Sequence, residues 1–500
     1  MMTNLEAAAP SGWGERARWL TVLVLCTVFV ALAMLMTSGA LVDDAYIALR
    51  YSLRLAHGAG LTFQDGPPVE GYTCFAWVVL GALLEKLGLS PAALLPLIGI
   101  GCGAAAVAVA TRATQRWTSG RRLAIAGVVP GLFLACSPGL AYYAGSGLET
   151  APFALLVLLA IVASVEGRPT ATGVAGALAL LTRPEGAMVA GLTLVLGAVL
   201  AEPSRRRAWY FSGAGVALLG LVYAAFKWTY FGALLPNTAV AKAPVLGQGL
   251  SYVGEQLIDA SLLLVLTGVL LAPRARALPK HGWCLLAAAL LSVIAIAEGG
   301  DWMSGNRLLL PALVSAAPAL DVLPLALTEA RPRTRAVLVL CLLPALLLLG
   351  YGSTFDARMF ASSSASVASY EALRDDLARE LVKSGARSVG TLDIGRLAYA
   401  EPALRLFDLG GLTDAEVARL PGDYRSKQLP ESLLRDRAPD AFLFAARRLA
   451  PSAGGPPSID YHYPVEEGVA GSAWFREHYR LHAVVRAGEG YFLCWFARAR

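Results

Sequence analysis

Charge is scarce in this chain of 500 residues. Asp, Glu, Lys and Arg make up 16% of it, where soluble domains carry about 25%. Apolar residues make up 56% and the mean hydropathy is +0.57, so a wholly soluble globular protein is excluded and a membrane protein over most of the length is expected. Other patterns are missing too. There is no Walker A loop, which argues against ATP-driven transport. No G-x-G-x-x-G follows a strand, and no loop between apolar runs is long enough to fold a nucleotide-sugar domain. The 7 cysteines fall mostly inside apolar runs and form no C-x-x-C pair, so neither a zinc nor a redox site is expected. Residues 353–500 hold only Cys494, which excludes a disulfide within that part. His478 and His482 are four apart, but no H-E-x-x-H accompanies them, and a metal is not expected there. The net charge of +6 is small for this length; it fits arginines in cytoplasmic loops rather than nucleic-acid binding.

What is present is a series of apolar runs near 20 residues long. The first extends from Trp19 to Leu41, behind Arg16 and Arg18. It is too long for a signal-peptide core and reads as an uncleaved span with its basic end in the cytoplasm. Further runs lie at about 72–88, 91–110, 122–142, 150–165, 171–201 (broken at 182–186), 208–231, 255–272, 282–298, 306–328 and 335–352. About 11–13 spans are expected from them. Basic loops at Arg112/Arg116/Arg121/Arg122, Arg205–Arg207, Arg274/Arg276/Lys280 and Arg331/Arg333/Arg335 are placed in the cytoplasm by the positive-inside rule. From Arg122 onward they alternate with mixed-charge loops, which then share the far side with Asp43 and Asp44. Two helices in 72–110 would break this alternation, so one of them is short or re-entrant, or the loop at 112–122 is misplaced. Past residue 352 charge and turns return. A helix at about 366–385 and strands at Ser388–Leu392, Leu404–Asp408, Leu481–Val485 and Tyr491–Phe496 read as a small α/β domain. The expected division is therefore a transmembrane catalytic domain at 1–352, with a first external loop at 42–72, and an extracytoplasmic domain at 353–500.

Chemistry-bearing residues gather in the mixed loops. Asp43 and Asp44 emerge where the first run stops. Paired acids at a membrane mouth suit a general base with a second group that orients it or binds a metal; the plain alternative is a helix cap. Arg50, Arg54 and His57 follow on a helical stretch, for a substrate or for anionic headgroups. Glu70 and Tyr72 precede the next run, where an acid also favours a helix start. Glu149 stands in SGLET, while Arg183 and Glu185 interrupt an apolar stretch as LTRPEG. The arginine could hold a phosphate bidentately, or the two could simply pair. Asn237 and Lys242 lie in LPNTAVAK, and the lysine is a phosphate ligand or snorkels to the interface. Asp301, Trp302 and Arg307 share one loop, where acid and ring suit a sugar and Trp also suits membrane anchoring. Asp393 and Asp408 each precede glycines, as turn acids do.

These motifs, DDAYI, VEGYT, SGLET, LTRPEG, LPNTAVAK, GGDWM with Arg307, and LDIGRLAYAEP with FDLGGLTD, resemble in order those of a bacterial family of polytopic GT-C glycosyltransferases that includes the terminal arabinofuranosyltransferases. Cys74 departs from the pattern, standing where the family usually has Asn. The resemblance implies a mainly α, GT-C-like membrane fold with a small C-terminal α/β domain. It implies an inverting transfer of a sugar, arabinofuranose being one candidate, from a polyprenyl-phosphate donor to a glycan or lipid acceptor on the external face of the bacterial plasma (inner) membrane. Asp43 is the implied base, with Asp44 beside it. Arg50, Glu70, Tyr72, Glu149, Arg183, Glu185, Asn237, Lys242, Asp301, Trp302, Arg307 and Asp393 are the implied substrate contacts. Two accounts stay open for the donor phosphate, one without a cofactor and one with Mg²⁺ or Mn²⁺ held by the acids. Nucleic acid is not an expected partner, and the bilayer is. The competing classes are a flippase of lipid-linked glycans and a non-catalytic assembly factor. Acids gathered at one membrane face, beside a large polar tail, separate a transferase from the former.

Overall fold

A computed structural model describes residues 12–37, 41–118, 126–242, 244–271, 279–301, 303, 305, 307–452, 455–488 and 490–499. Five of its helices are long and apolar enough to cross a membrane: Gly14–Met36, Pro91–Thr118, Arg206–Phe231, Pro279–Ala297 and Arg307–Glu329. A sixth is added if Val128–Ala135 and Pro138–Gly145, bent by 56°, count as one span. Thr150–Val165, Pro169–Thr182 and Gly186–Leu200 are shorter apolar helices. The protein is a multi-pass membrane protein. The run expected at 122–142 is therefore a bent pair, with Ser137 and Pro138 starting its second half. Of the two helices expected in 72–110, Phe75–Lys86 has 12 residues and reaches only about 18 Å at ~1.5 Å per residue, short of the ~30 Å hydrocarbon core.

The chain divides into two compact units. The first comprises Met1–Thr37, Pro96–Leu221 and Val245–Ala361. Its core joins Phe153, Val157, Ile161, Ala179, Val189, Cys284, Leu291 and Ala312. Small residues let these helices approach: a Cβ on Gly197 would lie 2.1 Å from the Trp209 ring, close packing of the kind that joins membrane helices. Leu20, Leu23, Leu35, Val195, Leu200 and Phe211 turn outward, each at least 60% exposed, an apolar surface that lipid would cover.

The second unit comprises Ser38–Leu95, Val222–Pro244 and Ser362–Arg500. Its sheet contains β1 (Ser388–Thr391), β2 (Arg405–Asp408), β3 (Ala441–Ser452), β4 (Gly455–Tyr461), β5 (Tyr479–Gly488) and β6 (Tyr491–Arg498). The order is β2-β1-β3-β6-β5, with β4 on the far half of β3. β1 runs parallel to β2 and β3, and the other pairs are antiparallel. Phe442, Phe444, Trp474, Phe475, Tyr479 and Phe496 build its core. The expected strands are all present. β3 and β4 were not expected: AFLFAARRLA combines a fully buried run with an alanine- and arginine-rich tail, which mimics a helix. The helix expected at 366–385 is the end of one 52-residue helix, Pro332–Lys383.

Two helices of this unit meet at their starts. Asp43–Ala56 begins with Asp43, and Gly395–Ala400 begins with Gly395. The Gly395 and Arg396 amides donate to the Asp43 carboxylate at 3.0 and 2.9 Å. Only glycine fits, because a Cβ on Gly395 would lie 2.0 Å from the Asp43 carbonyl oxygen, a backbone atom that cannot rotate aside. Gly395→Ala should therefore separate the two helix starts and cost about 1–3 kcal/mol. Amide exchange at 393–400 should quicken and the melting temperature of the full chain should fall. Gly468→Ala, with nothing within 4 Å of the new Cβ, is the neutral control; equal exchange in both variants would refute the close approach.

Candidate functional site

Within the second unit, Asp43 is held by three donors. Besides the two amides, Arg374 donates from Nη1 to Oδ1 at 2.8 Å. The same guanidinium donates from Nη2 to Asp393 Oδ2 at 2.5 Å, and the Tyr491 hydroxyl donates to that oxygen at 3.2 Å. Burial lifts the Asp393 carboxyl above its ordinary range; Arg374 opposes this and Asp43 adds to it. Arg374 is itself buried, and its two carboxylates hold it firmly protonated. A carboxylate oxygen has about two lone-pair sites. Oδ1 of Asp43 accepts from Arg374 and the Arg396 amide, while Oδ2 accepts from the Gly395 amide. One position on Oδ2 stays open among the described residues.

Two neighbours of Arg374 on the long helix complete the arrangement. Glu371 accepts from the Leu41 amide at 2.9 Å and from the Tyr46 hydroxyl. Asp375 accepts two bonds from Arg396, each 2.6 Å. Spacing of three and four residues puts Glu371, Arg374 and Asp375 on one helix face. Asp44 is half-buried on the second position of the Asp43 helix.

The loop after that helix carries a second buried pair. Glu70 lies 2.8 Å from the Lys227 ammonium, and Tyr223 donates to it at 3.4 Å. Burial pushes the Glu70 carboxyl up, and Lys227 pulls it back. The Glu70 carbonyl accepts from the Asn237 amide at 2.9 Å. The Asn237 side chain donates to the carbonyls of Gly411 and Leu412 at 2.7 and 3.2 Å. Asp408 shapes that turn, accepting from the Gly410, Gly411 and Thr413 amides and the Thr413 hydroxyl. Tyr72 is buried with its ring edge-on to Tyr51 at 4.8 Å. Its hydroxyl has no hydrogen-bond partner among the described residues, an uncommon state for a buried polar group. Lys242 lies 5.9 Å from the Tyr424 ring centroid, with no carboxylate partner among the described residues. Arg50 is 5% exposed and donates to the carbonyls of Phe63 and Pro402 at 3.1 and 2.8 Å. It ties the loop down, where sequence offered a substrate contact or a headgroup-facing surface.

In the first unit the charged residues expected at the site are paired. Arg183 bridges Glu149 at 3.2 Å and Glu185 at 2.7 Å. Arg307 and Asp301 are 2.7 Å apart. Trp302 lies outside the described residues. Arg183 and Arg307, both implied substrate contacts, thus already face carboxylates. A divalent ion fits the acids poorly as they stand. Asp43 and Glu70 each face a cation, and no group of three or more His, Cys, Asp or Glu suited to a metal occurs among the described residues.

Arg374 and Lys227 were missed in the sequence. Arg374 sits in YEALRDDLARE, whose mixed charges read as an ordinary solvated helix face. Lys227 did carry a signal, since a lone lysine within the apolar AAFKWTYF demands a buried partner.

Residues 366–496 match a family model described as a domain of unknown function, DUF8728. The chain is similar to the terminal β-(1→2)-arabinofuranosyltransferase of Mycobacterium tuberculosis: 29% identical over 349 residues, covering 59% of this chain and 54% of that protein. It is 32% identical over 322 residues to the enzyme of the same name from Corynebacterium glutamicum, covering 54% of this chain and 46% of that one. The chain spans about half the length of these curated relatives. Its fold is similar to that of the Archaeoglobus fulgidus oligosaccharyltransferase in the apo crystal form, with a TM-score of 0.55 at 12% identity over 96% of this chain and 81% of that one. The likeness to terminal arabinofuranosyltransferases and the GT-C-like membrane fold read from the motifs are both borne out.

Proposed function

We propose that the chain is an inverting glycosyltransferase. It moves a sugar, arabinofuranose being the leading candidate, from a polyprenyl phosphate to a cell-envelope glycan on the external face of the plasma membrane. The observation that carries this reading is the Asp43 carboxylate, oriented by three donors and, among the described residues, open at one position of Oδ2. The names of the relatives supply the sugar. The alternation of basic and mixed loops supports an external site.

In the proposed reaction an acceptor hydroxyl oxygen attacks the anomeric carbon from the face opposite the phosphate. The carbon–oxygen bond to phosphate breaks, and its electron pair leaves with the polyprenyl phosphate. Asp43 Oδ2 takes the hydroxyl proton. A carboxylate already hydrogen-bonded on its other positions needs no reorganisation at that moment. Lys242 answers the leaving phosphate's charge. No step is routed through a metal.

Asp43→Asn, which keeps the shape and removes the base, should lower transfer at least ~10²-fold in purified protein given a synthetic polyprenyl-phosphate arabinofuranose. Activity within a few-fold of the wild type would end the assignment. Lys242→Ala should raise the KM for the lipid donor about tenfold and change kcat less, since one charge-assisted contact is worth roughly 1.5–3 kcal/mol. EDTA should leave the rate nearly unchanged; loss on chelation with recovery in Mg²⁺ or Mn²⁺ would instead place an ion on the acids.

A further inference from the structure

We propose that Arg374 is a positioning residue for this reaction, acting through Asp43 and set in place by Asp393. The proposal rests on the function assigned above and extends the catalytic machinery into the C-terminal sheet domain.

The starts of the two short helices are docked without Arg374. Glu371 holds the Leu41 amide and the Tyr46 hydroxyl, Asp375 holds the Arg396 guanidinium, and the Gly395 and Arg396 amides reach Asp43 directly. Arg374 adds something else. It is the cationic side chain on the Asp43 carboxylate, and it occupies one of the two positions on Oδ1. With that position and the Arg396 amide filled, Oδ1 cannot take the acceptor proton, and rotation that would present it is blocked. Oδ2 is left as the proton's destination.

The guanidinium is itself fixed from the other side. Its second nitrogen meets Asp393, the second residue after β1, and Asp393 is held by the Tyr491 hydroxyl at the start of β6. The Tyr491 ring packs edge-on to Tyr370 at 5.1 Å, one turn before Arg374 on the same helix. Both terminal nitrogens of the fork are thus engaged by different carboxylates, a geometry that a lysine's single ammonium cannot reproduce. At 10% exposure of its side chain Arg374 is poorly placed to serve as a surface ion pair.

The test is steady-state transfer by the full chain, with kcat and KM for a polyprenyl-phosphate sugar measured separately and melting temperature recorded for each variant. Arg374→Met should lower kcat about 10²-fold while KM changes less than threefold, the size expected when a reacting group is misplaced by about 1 Å. Arg374→Lys should recover part of kcat. Arg374→Met also leaves Asp43 and Asp393 facing each other without a cation, which costs stability whatever the role. Adding Asp393→Asn removes that repulsion. The double variant should regain melting temperature and keep the low kcat, whereas a purely structural role would restore both. Arg379→Gln alters an exposed arginine of the same helix that pairs with Asp376, and should match the wild type. A folded Arg374→Met enzyme with near-normal kcat, or with its loss confined to KM, overturns the proposal. If Arg374→Met does not fold, Arg374→Lys and Asp393→Asn are read for a smaller kcat loss, still at constant KM, and a near-normal kcat in both overturns the proposal. A folded wild type that transfers from no polyprenyl-phosphate sugar removes the functional reading itself, and is seen before any variant is made.

Discussion

The arrangement depends on holding one carboxylate still at the start of a helix, where an apolar stretch of sequence gives way to a polar one. An acid there loses solvation, and the loss is bearable only if donors and a cation replace the water. Asp43 obtains these from helix Pro332–Lys383 and from the first two residues of Gly395–Ala400, both far away in sequence. Several features follow from that need. Gly395 has no side chain because Asp43 stands where a Cβ would go. Glu371 and Asp375 flank Arg374 so that the partners on either side are clamped as well. The C-terminal sheet places Asp393 and Tyr491 where the far end of the guanidinium needs an acceptor.

The same rule governs the other charges. Glu70 faces Lys227, Arg183 lies between two glutamates, and Arg307 faces Asp301. Each pair is buried, so removing one partner would strand a charge and cost more than the pair contributes. Lys242 differs, with an aromatic ring as its described neighbour. A cation without a carboxylate partner is the one whose charge remains for an anionic ligand, which is why the donor phosphate is assigned to it rather than to the two arginines.

Much of this could be read from the residues, and what could not has a physical reason. Asp43 and Glu70 were visible because acids at the ends of apolar runs are costly without a purpose, whereas Asn237 and Asp393 stood out only through the family motifs. The pairing of Arg183 with Glu185 was one of the two readings the turn between them left open. Arg374 was hidden because a charged helix face looks the same whether it meets water or a distant acid. Arg50 shows the converse: an arginine on an amphipathic helix gives no sign that its guanidinium will cap backbone carbonyls. The bend between Ala135 and Pro138 and the central strand β3 were lost to composition, since an apolar run reports burial and not direction.

The most direct measurement is a structure of the full chain with polyprenyl phosphate bound in a lipid nanodisc. The phosphate should lie beside Asp43 with Lys242 turned toward it, while Arg374 still bridges Asp43 and Asp393. A phosphate seated away from Asp43, or an Asp43 released from Arg374 to take up a metal ion, would contradict the assignment of Asp43 as the oriented base.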